Sequence, residues 1–568
     1  MSTHARPLAE WLAALDDEQL ARLLLRRAVP AGVAWNDFFD AAEALLDPAS
    51  IARVLPRLTR TEAAVLSGSE EDADAAGSLR ALALVRDDGR PYPAVTEAIA
   101  ERRVPAASEA PHPPEAGAAA AAHAAERAFT HVAAIADVLI AARESPLNML
   151  ASGAASATER RRFAEAEILP RGTDLDDLLI AATDARLAVV DDRALRPSAL
   201  GETWLRWGAA ERWSALAQGF RDRMPHGIRS TDGGWNPVGA WAEALPWDPT
   251  WPQEHAALVR RARMLGLIAE GDTEPEWARP LRRGEDADGA LLQRMLPAEV
   301  DRIFLQNDLS AISPGPLAPA LDVRLRTAAE RESASQASSY RFTAESVAHA
   351  LALGETEESL LAFLEELSLT GIPQPLRYLI AQTAQRHGLV QVAPDTASAR
   401  TRIRSVDQHL LDTLAIDQAL RPLGLVRDGD DLTSRVSPAT AYWALTDARY
   451  PATLIDDAGE PVVAGRRTAA SAPPETPDAA GYAPLIARLR EHHGPDADAA
   501  WLDRALESAV QSRSLLLVEV AMPDGSTREL TLEATGLGGG RLRGRDRAAD
   551  VERTLPVSSI RSARLAGD

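Results

Sequence analysis

LPAEVDRIFLQNDLSAISPGPLAPALDVRLRTAAERESASQASSYRFTAESVAHALALGETEESLLAFLEELSLTGIPQPLRYLIAQTAQRHGLVQVA, residues 296–393, decides how this chain is read. Arg302 to Ile312 is an extended run that stops at the turn residues Ser313, Pro314 and Gly315. Leu317, Leu321 and Leu325 follow at helical spacing. Ser338 to Phe342 is a short strand. Thr343 caps a helix from Ala344 to Leu353, and Gly354 stops it. Thr356 caps the next, whose apolar face is Leu360, Leu361, Phe363, Leu364 and Leu367. Pro373 suits the first turn of a third helix ending near Gly388. Leu389 to Val392 is a further strand. The expectation is a compact mixed α/β module.

The order QNDLSAISPGPL, YRFTAESVAHAL, LLAFLEELSLTGIPQPLRYLIAQTAQRHG closely resembles the domain at the N-terminus of XPB-type DNA helicases, also present in bacterial helicase-associated proteins. LAEWLAALDDEQLARLLLRRA, near the start, looks like the opening of the bacterial members. The resemblance implies a domain that sits beside an ATPase motor and touches DNA or other subunits without being the motor.

Whether the rest of the chain supplies a motor is a question of chemistry. Its 568 residues exceed one core, and 46% are hydrophobic, enough to bury several. None of the 61 basic residues is lysine, so all are arginine. A phosphate-binding loop places a lysine on the transferred phosphates, and GxxxxGK[ST] is absent. Lysine Schiff bases are excluded as well. Asp16-Asp17-Glu18-Gln19 superficially looks like an acidic helicase box, but it precedes a leucine-rich helix and reads as a cap. No cysteine is present, which excludes disulfides and thiolate metal sites. HExxH, GxSxG and GxGxxG in context are missing. No catalytic, cofactor or metal residue is assigned, and the chain is expected not to be an enzyme. No apolar run spans a bilayer and no signal peptide is visible at Met1, so the expected location is cytoplasmic.

The net charge is −22. Such a surface opposes non-specific phosphate binding, so a DNA role needs a local arginine patch or a partner protein. Plain solubility explains the acidity equally well.

The fold class expected is multidomain α+β, mostly helical. Residues 1–103 are helical, and Asp87-Asp88-Gly89 with Pro91-Tyr92-Pro93 makes a small hairpin that suggests a winged helix. Residues 104–122 form a proline- and alanine-rich linker. Residues 123–285 repeat the pattern, with a hairpin near Asp191-Asp192, then a tryptophan-rich segment, Trp204 to Trp277. The candidate recognition helix there, Asp174 to Leu179, is too acidic to face phosphates well. The tryptophans fit a helical core better than a stacking platform, since basic residues do not flank them consistently. Residues 290–460 hold the central module and a β-α-β-β-α-β alternation from Arg402 to Ile455 of ferredoxin-like order. Residues 461–480 are a second linker. Residues 481–568 hold short helices and strands around Pro523-Asp524-Gly525 that suggest a small β-barrel. That order resembles the WYL-type barrel of bacterial regulators, although no aromatic residue follows Trp501.

Arg541, Arg543, Arg545, Arg547 and Arg561 are the clearest basic cluster. Strand alternation puts the first three on one face, and guanidinium groups bind phosphate bidentately. A solvated face balancing an acidic protein is the competing reading. Arg402 and Arg404 are a weaker pair. Arg377 and Tyr378, inside the resemblance, suit packing or capping better than an interaction. His492-His493 point apart on a helix and make a poor metal site. Glu365-Glu366 lie on a solvated helix face.

Taken together the sequence suggests a non-catalytic accessory protein for DNA repair or transcription, with DNA or an XPB-type helicase in trans as partner. The alternatives are a ligand-responsive transcriptional regulator, with the barrel as sensor, and a helicase in its own right, which the missing lysine opposes.

Overall fold

The computed structural model describes residues 5–107, 112–166, 169–334, 338–395, 398, 400–448, 450–457, 459, 462, 479–491, 502, 506–507, 509–511, 513, 515–522 and 526–565. About half of the chain is helical, and the strands fall into four small sheets. Apolar side chains gather into five separate cores.

The first core is all helix: α1 (Ala5–Ala14), α2 (Asp17–Arg26), α3 (Phe38–Leu46), α4 (Pro48–Val54), α5 (Arg60–Leu66), α6 (Ala73–Ala81) and α7 (Pro93–Ile99). Asp16 caps α2 as expected: its carboxylate accepts from the Gln19 N–H at 2.7 Å, and Gln19 answers the Asp16 N–H. The acidic tetrad is therefore a capping box. The hairpin between α6 and α7 shrinks to one bridge, Val85 with Pro91. Arg27 lies inside this core, where its two terminal nitrogens donate to the Leu45 and Leu82 carbonyls and the Ser50 hydroxyl. Burial pulls its pKa down to about 10.

The second core begins with α8 (Ala118–Glu144), which takes in the alanine run. Then come β1 (Leu147–Asn148), α9 (Ala157–Glu165), α10 (Leu175–Asp184), β2 (Ala188–Asp191) and β3 (Ala194–Pro197), with sheet order β1-β3-β2. The first-turn acids of α10 are held by arginines: Asp176 by Arg160, Asp177 by Arg260 and Arg261. Next are α11 (Ala199–Trp204), α12 (Ala209–Asp222), α13 (Trp251–Met264), α14 (Arg279–Arg282) and α15 (Gly289–Gln293).

The tryptophans are core, as the sequence favoured. Trp204, Trp213, Trp241, Trp251 and Trp277 are buried. Their indole N–H groups donate to the carbonyls of Arg212 (3.0 Å), Leu265 (2.8 Å), Asn236 (2.7 Å), Trp241 (2.8 Å) and Gly266 (2.8 Å). Each ring buries its area and satisfies its polar atom at once.

The quoted stretch folds as β4 (Phe304–Leu305), β5 (Ser310–Ser313), α16 (Pro319–Ala328), β6 (Glu330–Ala334), β7 (Ser338–Arg341), α17 (Ala344–Ala352), α18 (Glu357–Leu367) and α19 (Gln374–Arg386). Its sheet runs β4-β5-β7-β6 and is antiparallel throughout. Thr343 and Thr356 cap α17 and α18, and Leu360, Phe363, Leu364 and Leu367 are buried. The expected single run from Arg302 to Ile312 is instead a hairpin. Asp308 accepts from the Ser310 N–H and hydroxyl, and Leu309 takes φ 66° to turn the chain.

A further core contains β8 (Val390–Asp395), β9 (Arg400–Ser405), α20 (Gln408–Ile416), β10 (Val426–Asp428), β11 (Asp431–Ser434), α21 (Pro438–Asp447) and β12 (Ala452–Leu454). The element order matches the expected alternation, but the topology does not close as a ferredoxin-like unit. The sheet is β10-β11-β9-β8-β12, so β8 is threaded between β9 and β12.

Helix α22 (Ala483–Glu491) returns to the first core. Leu485, Ile486 and Leu489 are buried there, and the Tyr482 hydroxyl donates to the Val29 carbonyl at 2.7 Å. Most of the expected linker 461–480, the pair His492-His493 and the turn Pro523-Asp524-Gly525 lie outside the described residues.

The C-terminal strands are β13 (Leu515–Ala521), β14 (Thr527–Gly538), β15 (Arg541–Asp546), β16 (Val551–Pro556) and β17 (Ile560–Leu565). Their order is β16-β15-β14-β13-β17, so β16 and β17 are margins, and among the described residues no ladder joins them. The expected small barrel is thus an open sheet. It is a curled one. Four strand spacings span ~19 Å if flat, whereas the step from Pro556 to Ile560 reaches only ~14 Å. The turn Val557–Ser559 holds the margins near each other without pairing them.

Candidate nucleic-acid interface

Strand β15 carries the strongest basic cluster, and its local sequence explains its shape. Gly539 and Gly540 both take positive φ (61° and 70°), which a two-residue hairpin turn requires, and they set Gly538 opposite Arg541. The residues of β15 then alternate: Arg541, Arg543 and Arg545 face solvent, while Leu542 and Asp546 point inward. Gly544 has no room for a side chain, because a Cβ there would stand 2.9 Å from the Glu533 carbonyl oxygen. Asp546 pins the far end. It accepts from Arg553 at 2.6 Å and from the Ala548 and Ala549 N–H groups, and the Arg553 bond holds its carboxyl below the usual range.

The register divides the five expected arginines. Arg541 faces Gly538 and Pro556, and Arg543 faces Gly536 and Thr554, all uncharged. Neither has a carboxylate partner among the described residues. Arg545 lies between Glu533 and Glu552 and is paired with Asp550 at 2.7 Å. Arg547 is paired with Glu533 at 2.8 Å. Arg561, on β17, is exposed but separated from β15 by β14 and β13. The structure therefore brings Arg541 and Arg543 together as available cations and leaves Arg545, Arg547 and Arg561 outside that pair. Arg402 and Arg404 are occupied: Asp395 (2.8 Å), Asp428 (3.4 Å) and Asp431 (3.2 Å) surround the first, and Asp431 the second.

A second cluster, which sequence reasoning missed, lies where α8 meets the quoted stretch. Asp137, in the apolar face of α8, is buried and accepts from Arg326 at 2.6 Å and from Arg331. Asp322 stands 3.8 Å from Arg326 and accepts from the Tyr340 hydroxyl at 2.6 Å. Burial, then the Asp322 charge, pushes the Tyr340 phenol up. Arg212 adds Trp204 and Leu205 carbonyls as partners, and burial draws its pKa down to about 10. Beside this network is a cavity of about 900 Å³, lined by Phe129, Val132, Leu296, Val300 and Leu317 among others. The partners of Asp137 lie 189 and 194 residues away, so no spacing announced them. The one signal was a lone carboxylate inside IADVLI.

Residues 303–428 match the model of the helicase conserved C-terminal domain. No curated protein matches the chain. The matched segment contains all of the β4–α19 unit and runs into the next sheet as far as β10. This part of the chain is helicase-related.

Proposed function

We propose that this chain is a non-catalytic, DNA-associated accessory protein that works beside an XPB-type helicase supplied by another chain, in repair or transcription. The observation that carries the reading is the form of the helicase-related segment. It holds the antiparallel sheet β4-β5-β7-β6 and the antiparallel pair β8 with β9, and the one parallel partner of β8, β12, lies beyond it. A phosphate-binding motor needs a strand, a glycine-rich loop ending in lysine, and a helix. This chain has no lysine to place there.

Arg541 and Arg543 serve as the phosphate contacts of the C-terminal sheet. They are exposed and next to uncharged neighbours on both flanking strands. The unit α8-β1-α9-α10 with the β2–β3 hairpin supports a winged-helix reading, in a protein-binding role because α10 is acidic. The test is ATP hydrolysis together with duplex binding by the purified full chain. The reading expects no turnover above background and salt-sensitive binding that ignores ATP. Turnover that co-purifies with the chain and survives removal of contaminants overturns it.

A further inference from the structure

From Leu367 to Pro394 the chain has no aspartate or glutamate over 28 residues. At its density of 83 acidic residues in 568, such a stretch would hold about four. The stretch contains all of α19, whose sequence is QPLRYLIAQTAQR. One side of this helix is core: Leu376, Ile380 and Thr383 are buried. The other side is exposed and carries Gln374, Arg377, Tyr378, Gln385 and Arg386. Tyr378 is 66% exposed, so it neither packs nor caps, against the expectation from sequence. Arg386 has no ion pair among the described residues. Arg377 reaches only Glu365 of α18, at 3.3 Å, through two exposed side chains.

Gln, Arg and Tyr without acids are the donors and acceptors that read base edges and phosphates from a helix. Nothing similar faces solvent from α10, whose first turn carries Asp176 and Asp177. We propose that α19 is the surface that lies in the major groove of duplex DNA, with Arg377 and Arg386 on the phosphates or on guanine. This rests on the DNA-associated reading and adds to it the contacting helix. Glu365 then acts as a competitor for Arg377 that the nucleic acid must displace, so neutralising it tightens binding.

The experiment is a fluorescence-anisotropy titration of a random 20-base-pair duplex with the full chain, over a range of salt. The variants are Arg377→Ala/Arg386→Ala, Glu365→Gln and, separately, Arg541→Ala/Arg543→Ala. The α19 double variant is expected to bind about tenfold more weakly at moderate salt, with the log–log salt slope reduced by about 2. Glu365→Gln is expected to bind about threefold more tightly, and because it removes no donor it keeps the test open if the double variant fails to fold. Wild-type affinity and slope in the double variant, or unchanged binding by Glu365→Gln, overturn the assignment of α19. If Arg541→Ala/Arg543→Ala weakens binding while the α19 double variant binds as the unaltered chain does, the DNA reading stands and α19 falls. If the unaltered chain binds no duplex even at low salt, both fall.

Discussion

Asp137 is the residue whose loss the structure prices most clearly. Its side chain is 6% exposed and holds Arg326 and Arg331, themselves 14% and 15% exposed. Asp137→Asn keeps the volume and removes the charge. Arg326 retains Asp322 at 3.8 Å, but Arg331 loses its carboxylate. Breaking a buried pair from one side costs about 3–5 kcal/mol, because the cation left behind is desolvated and unmatched. In units of 150–250 residues each kcal/mol moves a melting midpoint by about 2–4 °C, so the expected drop is about 6–20 °C. Calorimetry of the full chain is the assay, since separate cores give separate transitions. The transitions of the two units joined at this seam should fall, while that of the α1–α7 core stays in place. Asp431→Asn is the control: its partners Arg402 and Arg404 are 24% and 52% exposed. Such pairs contribute about 0–1 kcal/mol. If Asp137→Asn lowers the midpoint no more than Asp431→Asn does, the seam is not a buried ion-pair network and the reasoning fails.

Three further outcomes are expected. Trp277→Phe leaves the Gly266 carbonyl without its donor and should cost about 1–3 kcal/mol in urea unfolding, with no change in single-strand binding. Leu489→Ala should destabilise the α1–α7 core by about 2–5 kcal/mol, read as loss of that transition's midpoint, because α22 completes it. Asp184→Asn should stabilise the chain at pH 8. Burial raises the Asp184 carboxyl to about 6, above its unfolded value of 3.8, so the folded state holds a proton between those values and bears a buried charge above them. The gain, on the order of 1–3 kcal/mol, should shrink as pH falls through about 6 and vanish below 4; an unchanged gain at pH 4 contradicts it.

What could be read from the sequence was local. Caps at Asp16, Thr343 and Thr356, the apolar face of α18 and the alternation of Arg541, Arg543 and Arg545 all follow from residues within four positions of one another. The buried tryptophans were legible because few cations flank them. The unread features are long-range. Nothing near Ala483 shows that α22 packs against helices more than 450 residues earlier. The threading of β8 between β9 and β12 depends on a parallel pairing made after two helices. The open margin of the C-terminal sheet depends on the reach of one short turn. Arg545 and Arg547 are paired with Asp550 and Glu533, and only the strand register discloses those partners.

The most direct test of the accessory reading is a duplex-binding titration of the full chain at low and moderate salt, with and without ATP, against the charge-reversed variant Arg541→Glu/Arg543→Glu. The account predicts binding that weakens steeply with salt, is the same with ATP, and falls at least tenfold in the variant. ATP-dependent binding, or wild-type affinity in the variant, would contradict it.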